Sequence, residues 1–247
     1  MRSYRELIYD RYATWFQDAS TEYDTVTARR WGSAYDYYFR DWLPNGKEAN
    51  IVDLACGGGR LLQFYKERGY RNIRGVDISP EQVRLARQVG VEVEEMDVLE
   101  YLKRYPRSFD LITCLDLIEH FRKDEVLEFL DLACGALMEG GRLIVQTPNA
   151  ESPWGSMHRY NDLTHEVCFN PNLLVRLLRL QGFEKVMARE QGPIPHGYGL
   201  KSSCRYVVWQ LIRAGLLLWN MVETGSGGSG VLTRVFLASA VKRGVLR

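Results

Sequence analysis

From residue 51 onward, short apolar runs alternate with helix-forming stretches, and this alternation constrains the fold more than any other property of the chain. Ile51-Val52-Asp53-Leu54-Ala55 reads as a strand that runs into Gly57-Gly58-Gly59, and a helical stretch follows from Arg60 to about Arg68. Asn72 to Val76 is a second strand ending at Asp77, after which Ser79 is the N-cap of a helix with Pro80 at its first position. Val91 to Met96 and Phe109 to Leu115 are the third and fourth strands. A long helix covers about Lys123 to Leu137, Gly140-Gly141 ends it, and Arg142 to Gln146 is the fifth strand. Strands separated by helices imply a parallel sheet covered on both faces.

The flanking regions differ. Residues 3–42 are rich in Tyr, Trp and Arg and read as two helices, closed by the turn Pro44-Asn45-Gly46. Near the other end, Asn170-Pro171 opens a helix that Gly182 terminates, and Phe183 to Glu190 is a sixth strand. A Gly/Pro turn, an apolar helix, the run Gly225 to Gly230 and a final strand from about Val231 to Val241 complete the chain. One strand follows the glycine/serine run, so the run is a loop and not a domain linker. The expected fold is α/β and doubly wound, with a mainly parallel, Rossmann-like seven-stranded sheet. An N-terminal helical lid (1–44) precedes the main domain (45–247), which carries a helical insertion at about 198–224.

Composition narrows the function classes. Hydrophobic residues are 46% and charged residues 26% of the 247, enough to bury a full core. The net charge of +1 gives no general attraction to nucleic acid, and no basic tract with interleaved aromatics stands out, so no nucleic-acid partner is expected. Cys56, Cys114, Cys134, Cys168 and Cys204 form no C-x-x-C pair, which suggests reduced thiols in a cytoplasmic setting. Charges interrupt the N-terminal stretch, so it is not a secretory signal. The most apolar segment, Tyr206 to Val222, is broken by Gln210, Arg213 and Asn220 and is too short and polar to span a bilayer.

Successive strand ends carry the chemistry. The turn at Gly57-Gly58-Gly59 lets a ligand approach bare backbone, and the helix after it offers free N–H groups to a carboxylate. Asp77 at the second strand end can accept two ribose hydroxyls, and Asp97 at the third can accept from an adenine amino group. G-x-G-x-x-G spacing is absent, which argues against a nicotinamide dinucleotide. With this ordered set the sequence resembles the class I S-adenosylmethionine-dependent methyltransferases, over roughly residues 50 to 190. The resemblance implies S-adenosylmethionine as cofactor. In that family the segment containing Asp53, Ala55 and Gly57 holds the methionine part, Asp77 binds ribose, Ile78 packs on adenine, and Asp97 with Val98 holds the adenine edge. Leu137 to Leu143, with its Gly140-Gly141 pair, looks like the family's turn before strand five. The family usually has glycine where Ala55 stands, and a methyl group there implies slightly tighter packing.

The fourth strand ends Cys114-Leu115-Asp116-Leu117-Ile118-Glu119-His120, beside the cofactor turn, so Leu115 and its successors face the transferred methyl. If that turn is helical, Asp116, Glu119 and His120 share one face. Two carboxylates and an imidazole at a pocket mouth can bind a divalent cation, and His165 lies in a later loop at the same edge. The ubiquinone-pathway O-methyltransferases and the small-RNA terminal 2′-O-methyltransferases have a similar acidic-x-x-Glu-His run. By that resemblance Asp116, Glu119, His120 and His165 are metal ligands, for Mg2+ or Mn2+, although the family residue at position 116 is usually glutamate. Two other readings stand beside it: His120 or His165 as a metal-free general base, and Glu119-His120 as a structural element that caps the next helix.

Thr147 to Gly155 reads as a loop lining the acceptor pocket, with Trp154 either stacking on a sugar face or sealing the cleft. Tyr9, Arg11, Tyr12 and Trp31 belong either to a lid over the cofactor or to amphipathic helices packed on the domain. Ser202 to Val222 is too apolar for an ordinary surface helix. A homodimer interface, burial on its own domain and peripheral contact with the inner face of a membrane all remain open for it. The R-Y-x-D-L-T-H-E-x-x-F-x-P run from Arg159 to Pro171, with Glu223-Thr224-Gly225 after the apolar helix, resembles bacterial methyltransferases of cell-surface glycan pathways. The expected activity is O-methylation of a saccharide or glycolipid hydroxyl. The alternatives are a lipid-soluble phenol as acceptor, or a non-catalytic cofactor-binding partner subunit.

Overall fold

A computed structural model describes residues 3–12, 14, 22–196 and 198–244. The proposed lid therefore has residues 1–2, 13 and 15–21 outside the described set. The described part of it contains helices α1 (Tyr4–Tyr9) and α2 (Thr25–Tyr38). Ser3 and Glu6 start α1 with a reciprocal capping box, each side chain accepting from the other's backbone N–H.

Among the described residues seven strands form one sheet: β1 (Asn50–Leu54), β2 (Asn72–Asp77), β3 (Glu92–Glu95), β4 (Phe109–Leu115), β5 (Leu137–Pro148), β6 (Phe183–Glu190) and β7 (Val235–Lys242). Their order is β3-β2-β1-β4-β5-β7-β6. All pairs are parallel except those of β7, which runs antiparallel between β5 and β6. Helices α3 (Arg60–Glu67), α4 (Pro80–Arg87), α5 (Val98–Arg104) and α6 (Lys123–Ala136) make the crossovers. The chain continues through α7 (Gly155–Tyr160), α8 (Pro171–Leu180) and α9 (Leu200–Thr224).

The two-residue period of the strands divides the core into two layers. Ile51, Leu111, Ile144 and Leu237 face one layer with Tyr35 of α2, Phe39 at its C-cap and Leu62 of α3. Val52, Ile112, Leu143 and Val145 face the other with Tyr101 of α5, Phe129 of α6 and Leu174 of α8. Helix α2 is thus part of the core on its face, with Tyr35 and Phe39 almost fully enclosed.

Three local expectations are corrected. Gly140-Gly141 does not end α6: the helix stops at Ala136 and β5 starts at Leu137. The glycines lie in a bulge where the β4–β5 register jumps from Phe109↔Leu137 to Leu111↔Arg142. A Cβ on Gly141 would come within 3.0 Å of the Phe109 carbonyl, so only glycine lets the two strands close there. Ser79 occupies the N-cap of α4, but its side chain makes no capping bond; its backbone N–H instead donates to Asp77 Oδ1 at 2.8 Å. The last strand begins at Val235, because the carbonyls of Val231 and Thr233 accept from the Asn149 side-chain amide at 2.8 and 2.9 Å and are not part of a strand ladder.

Candidate active site

The turn after β1 is shaped by backbone conformation. Ala55 and Gly57 both have φ of +52°, in the left-handed region. Glycine reaches that region without penalty, whereas an L side chain there is strained by about 1–2 kcal/mol. The alanine expected merely to tighten packing therefore sits at a strained position. Asp77 locks the turn from β2: its Oδ2 accepts the Gly57 N–H at 2.8 Å while Oδ1 accepts from Ser79. Asp77 is 7% exposed, and burial raises its carboxyl above the ordinary range against the opposing pull of those amides. Each oxygen keeps a lone pair for a hydroxyl donor.

Ile78, next in the chain, is 46% exposed and offers an apolar platform beside that carboxylate. Asp97 caps α5, its Oδ1 accepting from the N–H groups of Leu99 and Glu100 at 2.9 and 3.1 Å, with Oδ2 directed to no described partner. The Val98 side chain is buried in the core, so only its backbone is available to a ligand. Asp53 is likewise buried; it accepts from Thr113 Oγ1 at 2.7 Å and burial pushes its carboxyl up to about 7. It supports the turn from below. Leu115 is half-buried at the tip of β4.

Beyond β4 the expected shared helical face does not form. Asp116 has φ +55° and precedes a short 3₁₀ turn, Ile118–His120. Asp116 is exposed, its Oδ2 accepts from Gln146 Nε2 at 2.7 Å, and the protein surrounding it pushes its carboxyl up to about 6. Gln146 Oε1 in turn accepts from Tyr35 Oη at 2.5 Å, and that hydroxyl accepts from Gln191 at 2.7 Å. This chain links α2 and the end of β6 to the tip of β4.

Glu119, His120 and His165 do come together, with one potential ligand atom from each lying within 4.8 Å of the other two. Asp116 is outside this group. Glu119 is 2% exposed; Oε2 accepts from Thr147 Oγ1 at 2.9 Å, and Oε1 is buried without a hydrogen-bond partner among the described residues. Desolvation, with Asp116 nearby, drives its carboxyl well above the usual range.

Both imidazoles are held through Nδ1. That of His120 lies 2.8 Å from Thr164 Oγ1, whose own proton goes to Asp162 Oδ1 at 2.6 Å, so His120 donates. That of His165 donates to the His158 carbonyl at 2.7 Å. Each ring therefore keeps its Nε2 lone pair for a cation or a proton. Burial lowers both, His120 to about 4 with His165 contributing, so both rings are neutral at neutral pH.

The Arg159–Pro171 run is the scaffold of this cluster. Arg159 donates to the carbonyls of His165 and Glu166, Asp162 fixes Thr164, and the Glu166 N–H donates to the Glu119 carbonyl at 2.7 Å. The N-terminal segment packs against it. Arg5 donates to the His120 carbonyl at 2.7 Å and pairs with Glu125 at 3.0 Å, and Tyr12 donates to Asp162 at 2.7 Å. The Tyr9 ring lies 6.3 Å from that of His120. Thr14 reaches Glu81 at the start of α4, and Tyr23 Oη lies 3.4 Å from the Gly59 carbonyl, so contacts of this segment fall on both halves of the cleft. Trp31 instead stacks on Tyr35 in the core, and Arg11 is exposed. Sequence reasoning missed Thr147, Thr164, Asp162 and Gln146; of these only the Asp-x-Thr spacing at 162–164, which favours a local side-chain bond, carried a signal.

Comparison with known proteins agrees with this geometry. Residues 23–188 match the family model described as a methyltransferase domain. A ubiquinone biosynthesis O-methyltransferase of Xylella fastidiosa is 30% identical over 107 residues, 41% of this chain and 42% of that protein. The mouse small RNA 2′-O-methyltransferase is 33% identical over 132 residues, 46% of this chain and 33% of that protein. The chain thus spans less than half the length of either relative. The crystal structure of a SAM-dependent methyltransferase from Archaeoglobus fulgidus superposes over 97% of this chain and 100% of that one, with a TM-score of 0.66 and 19% identity. The chain belongs to the methyltransferase-domain family and has the fold of the class I S-adenosylmethionine-dependent methyltransferases.

Proposed function

We propose that the chain transfers the sulfonium methyl of S-adenosylmethionine to a hydroxyl oxygen of a saccharide-type acceptor, assisted by a divalent cation held by Glu119, His120 and His165. The observation that carries this reading is the convergence of one ligand atom each from Glu119, His120 and His165 within 4.8 Å, beside a buried Glu119 Oε1 with no partner among the described residues and two imidazoles held through Nδ1. Mixed nitrogen and oxygen donors suit Mn2+ or Mg2+. Glu119, His120 and His165 would hold such a cation, which would supply polarisation of the acceptor hydroxyl.

The chain's own groups do the rest. The Gly57 turn and Asp77 would hold the cofactor next to Leu115 at the tip of β4, the residue after Cys114, which is the partner of Leu54. The attacking oxygen forms its bond to the methyl carbon as the carbon–sulfur electron pair returns to sulfur, leaving S-adenosylhomocysteine. Asp116, poised near 6 and anchored by Gln146, is the group at the strand tip able to take the hydroxyl proton. Thr164 and the His158 carbonyl keep the imidazoles in the neutral tautomer that a ligand needs.

The saccharide assignment is supported by the Arg159–Pro171 run and by the exposed Trp154, an aromatic ring able to stack on a sugar, with the Arg234 guanidinium 5.7 Å from its centroid. The curated relative from Xylella favours a second acceptor, a phenolic hydroxyl of a quinone precursor.

The test is methyl transfer from labelled cofactor to a panel of glycan and phenol acceptors, with and without chelator. Chelation is expected to abolish transfer and Mn2+ to restore it. His120→Ala and His165→Ala are expected to abolish it as well, while S-adenosylhomocysteine affinity in calorimetry changes less than about threefold. Loss of cofactor affinity in those variants would refute their place at the acceptor. Activity untouched by chelator would refute the cation and leave the histidines as bases.

A further inference from the structure

Helix α9 is turned inside out. None of its residues is buried, although it spans 25 residues, so burial on its own domain, one of the roles expected for it, is excluded. Its polar side faces the protein: Trp209 and Arg213 both donate to Glu190, at 3.1 and 3.2 Å, and Arg213 also holds the Gly230 carbonyl at 2.8 Å. Its apolar side faces outward. Leu200, Val207, Leu211, Leu218, Trp219 and Val222 are exposed by 81, 60, 70, 65, 67 and 80%. At 100° per residue these positions and their neighbours cover about half the helix circumference, along about 33 Å of axis. No helix among the described residues is long and apolar enough to cross a membrane.

The charges around this face have one sign at the helix N-terminal half. Lys201 and Arg205 border the apolar stripe and are exposed. Behind them an open cavity of about 510 Å³ lies between the helix and the loops after β5 and β6. Arg205, Arg234, Tyr198 and Ser202 are among its lining residues, and no Asp or Glu is. Neither arginine has a carboxylate partner among the described residues. An apolar half-cylinder bordered by cations along its N-terminal half, with Glu223 beside its C-terminal end, fits a helix lying in the plane of a lipid headgroup layer. A helix–helix seam between two copies needs only a narrow stripe and would leave much of this face wet.

We propose that α9 docks the protein onto an anionic lipid bilayer, with the apolar stripe in the acyl boundary and Arg205 and Arg234 directed to headgroup phosphates. This inference does not depend on the acceptor assigned above.

The test is flotation of the full chain with vesicles of phosphatidylcholine alone and with vesicles in which about a third of the lipid is phosphatidylglycerol. Flotation is expected on the anionic vesicles and should weaken with added salt. Leu211→Glu and Leu218→Glu, both at exposed positions, should each lower the bound fraction at least about tenfold, because a charge is placed in the acyl boundary. Their thermal melts and S-adenosylhomocysteine affinity should equal those of the parent. Arg205→Ala with Arg234→Ala should weaken binding to anionic vesicles only. Equal flotation on both compositions would overturn the anionic assignment. No flotation on either would overturn the proposal, as would a dimer in sedimentation equilibrium that Leu211→Glu splits without any vesicle binding; α9 would then be an interface between two copies.

Discussion

Replacing Glu119 with glutamine should make the metal-free protein more stable while removing its response to metal. In the parent, Glu119 Oε1 is buried with no partner among the described residues and Oε2 takes the Thr147 hydroxyl. An unsatisfied buried acceptor costs about 1–3 kcal/mol. In Glu119→Gln the amide oxygen keeps the Thr147 bond, and the amide nitrogen can donate into the imidazole lone pairs that converge there. A carboxyl raised above its ordinary value also stabilises the fold fully only at low pH, and that contribution is lost as pH rises through the raised value. Near neutral pH the substitution therefore gains about 2 kcal/mol, or about 4–8 °C in melting temperature for a chain of this size. Mn2+ at a hundredfold excess over its dissociation constant should add about 2.7 kcal/mol to the parent and nothing to the variant. Differential scanning calorimetry with chelator and with Mn2+ reads both effects. A variant that melts below the parent in chelator, or a metal response of equal size in both proteins, would refute the reasoning.

Two further outcomes concern the floor of the cofactor site. Ala55→Gly should raise stability by a few tenths to about 1 kcal/mol, because relief of left-handed strain exceeds the added freedom of glycine in the unfolded chain; a lower melting temperature would show that the Ala55 methyl matters more than its φ. Asp53, pushed up to about 7, contributes stability that is complete below the ordinary carboxyl range and is lost as pH rises through 7. Urea unfolding of the parent should therefore weaken from about pH 4 to about pH 7, at up to about 1.4 kcal/mol per pH unit, and Asp53→Asn should flatten that slope; a parent curve that is flat or rises over this range would contradict the assignment.

What could be read from the sequence follows the range of the interactions involved. Gly57 and Asp77 were legible because a strand tip, a glycine and the next strand tip occur in a fixed order, and the bond between them merely closes that order. Asp116 was placed wrongly among helical neighbours because its left-handed φ and its bond to Gln146 depend on strand β5, which lies about thirty positions away. The same holds for Glu119, whose partner Thr147 is invisible until β4 and β5 are paired, and for Val98, where the family pattern does not reveal that the side chain turns into the core. Helix α9 was recognised as apolar, but whether its apolar face turns inward or outward was left open, since that is decided by Glu190 capturing Trp209 and Arg213. The glycine pair at 140–141 imitated a helix stop because a strand bulge and a helix terminus call on the same backbone freedom.

That bulge has a practical use. Met138, Glu139 and Gly140 project from the amino-terminal rim of the sheet, open to solvent, while the cleft opens at the opposite rim. A short epitope or a cysteine for dye attachment placed at Glu139 would ride on a segment the ladder already excludes. It would provide an optical handle for following vesicle capture or cofactor exchange without touching any group that binds either.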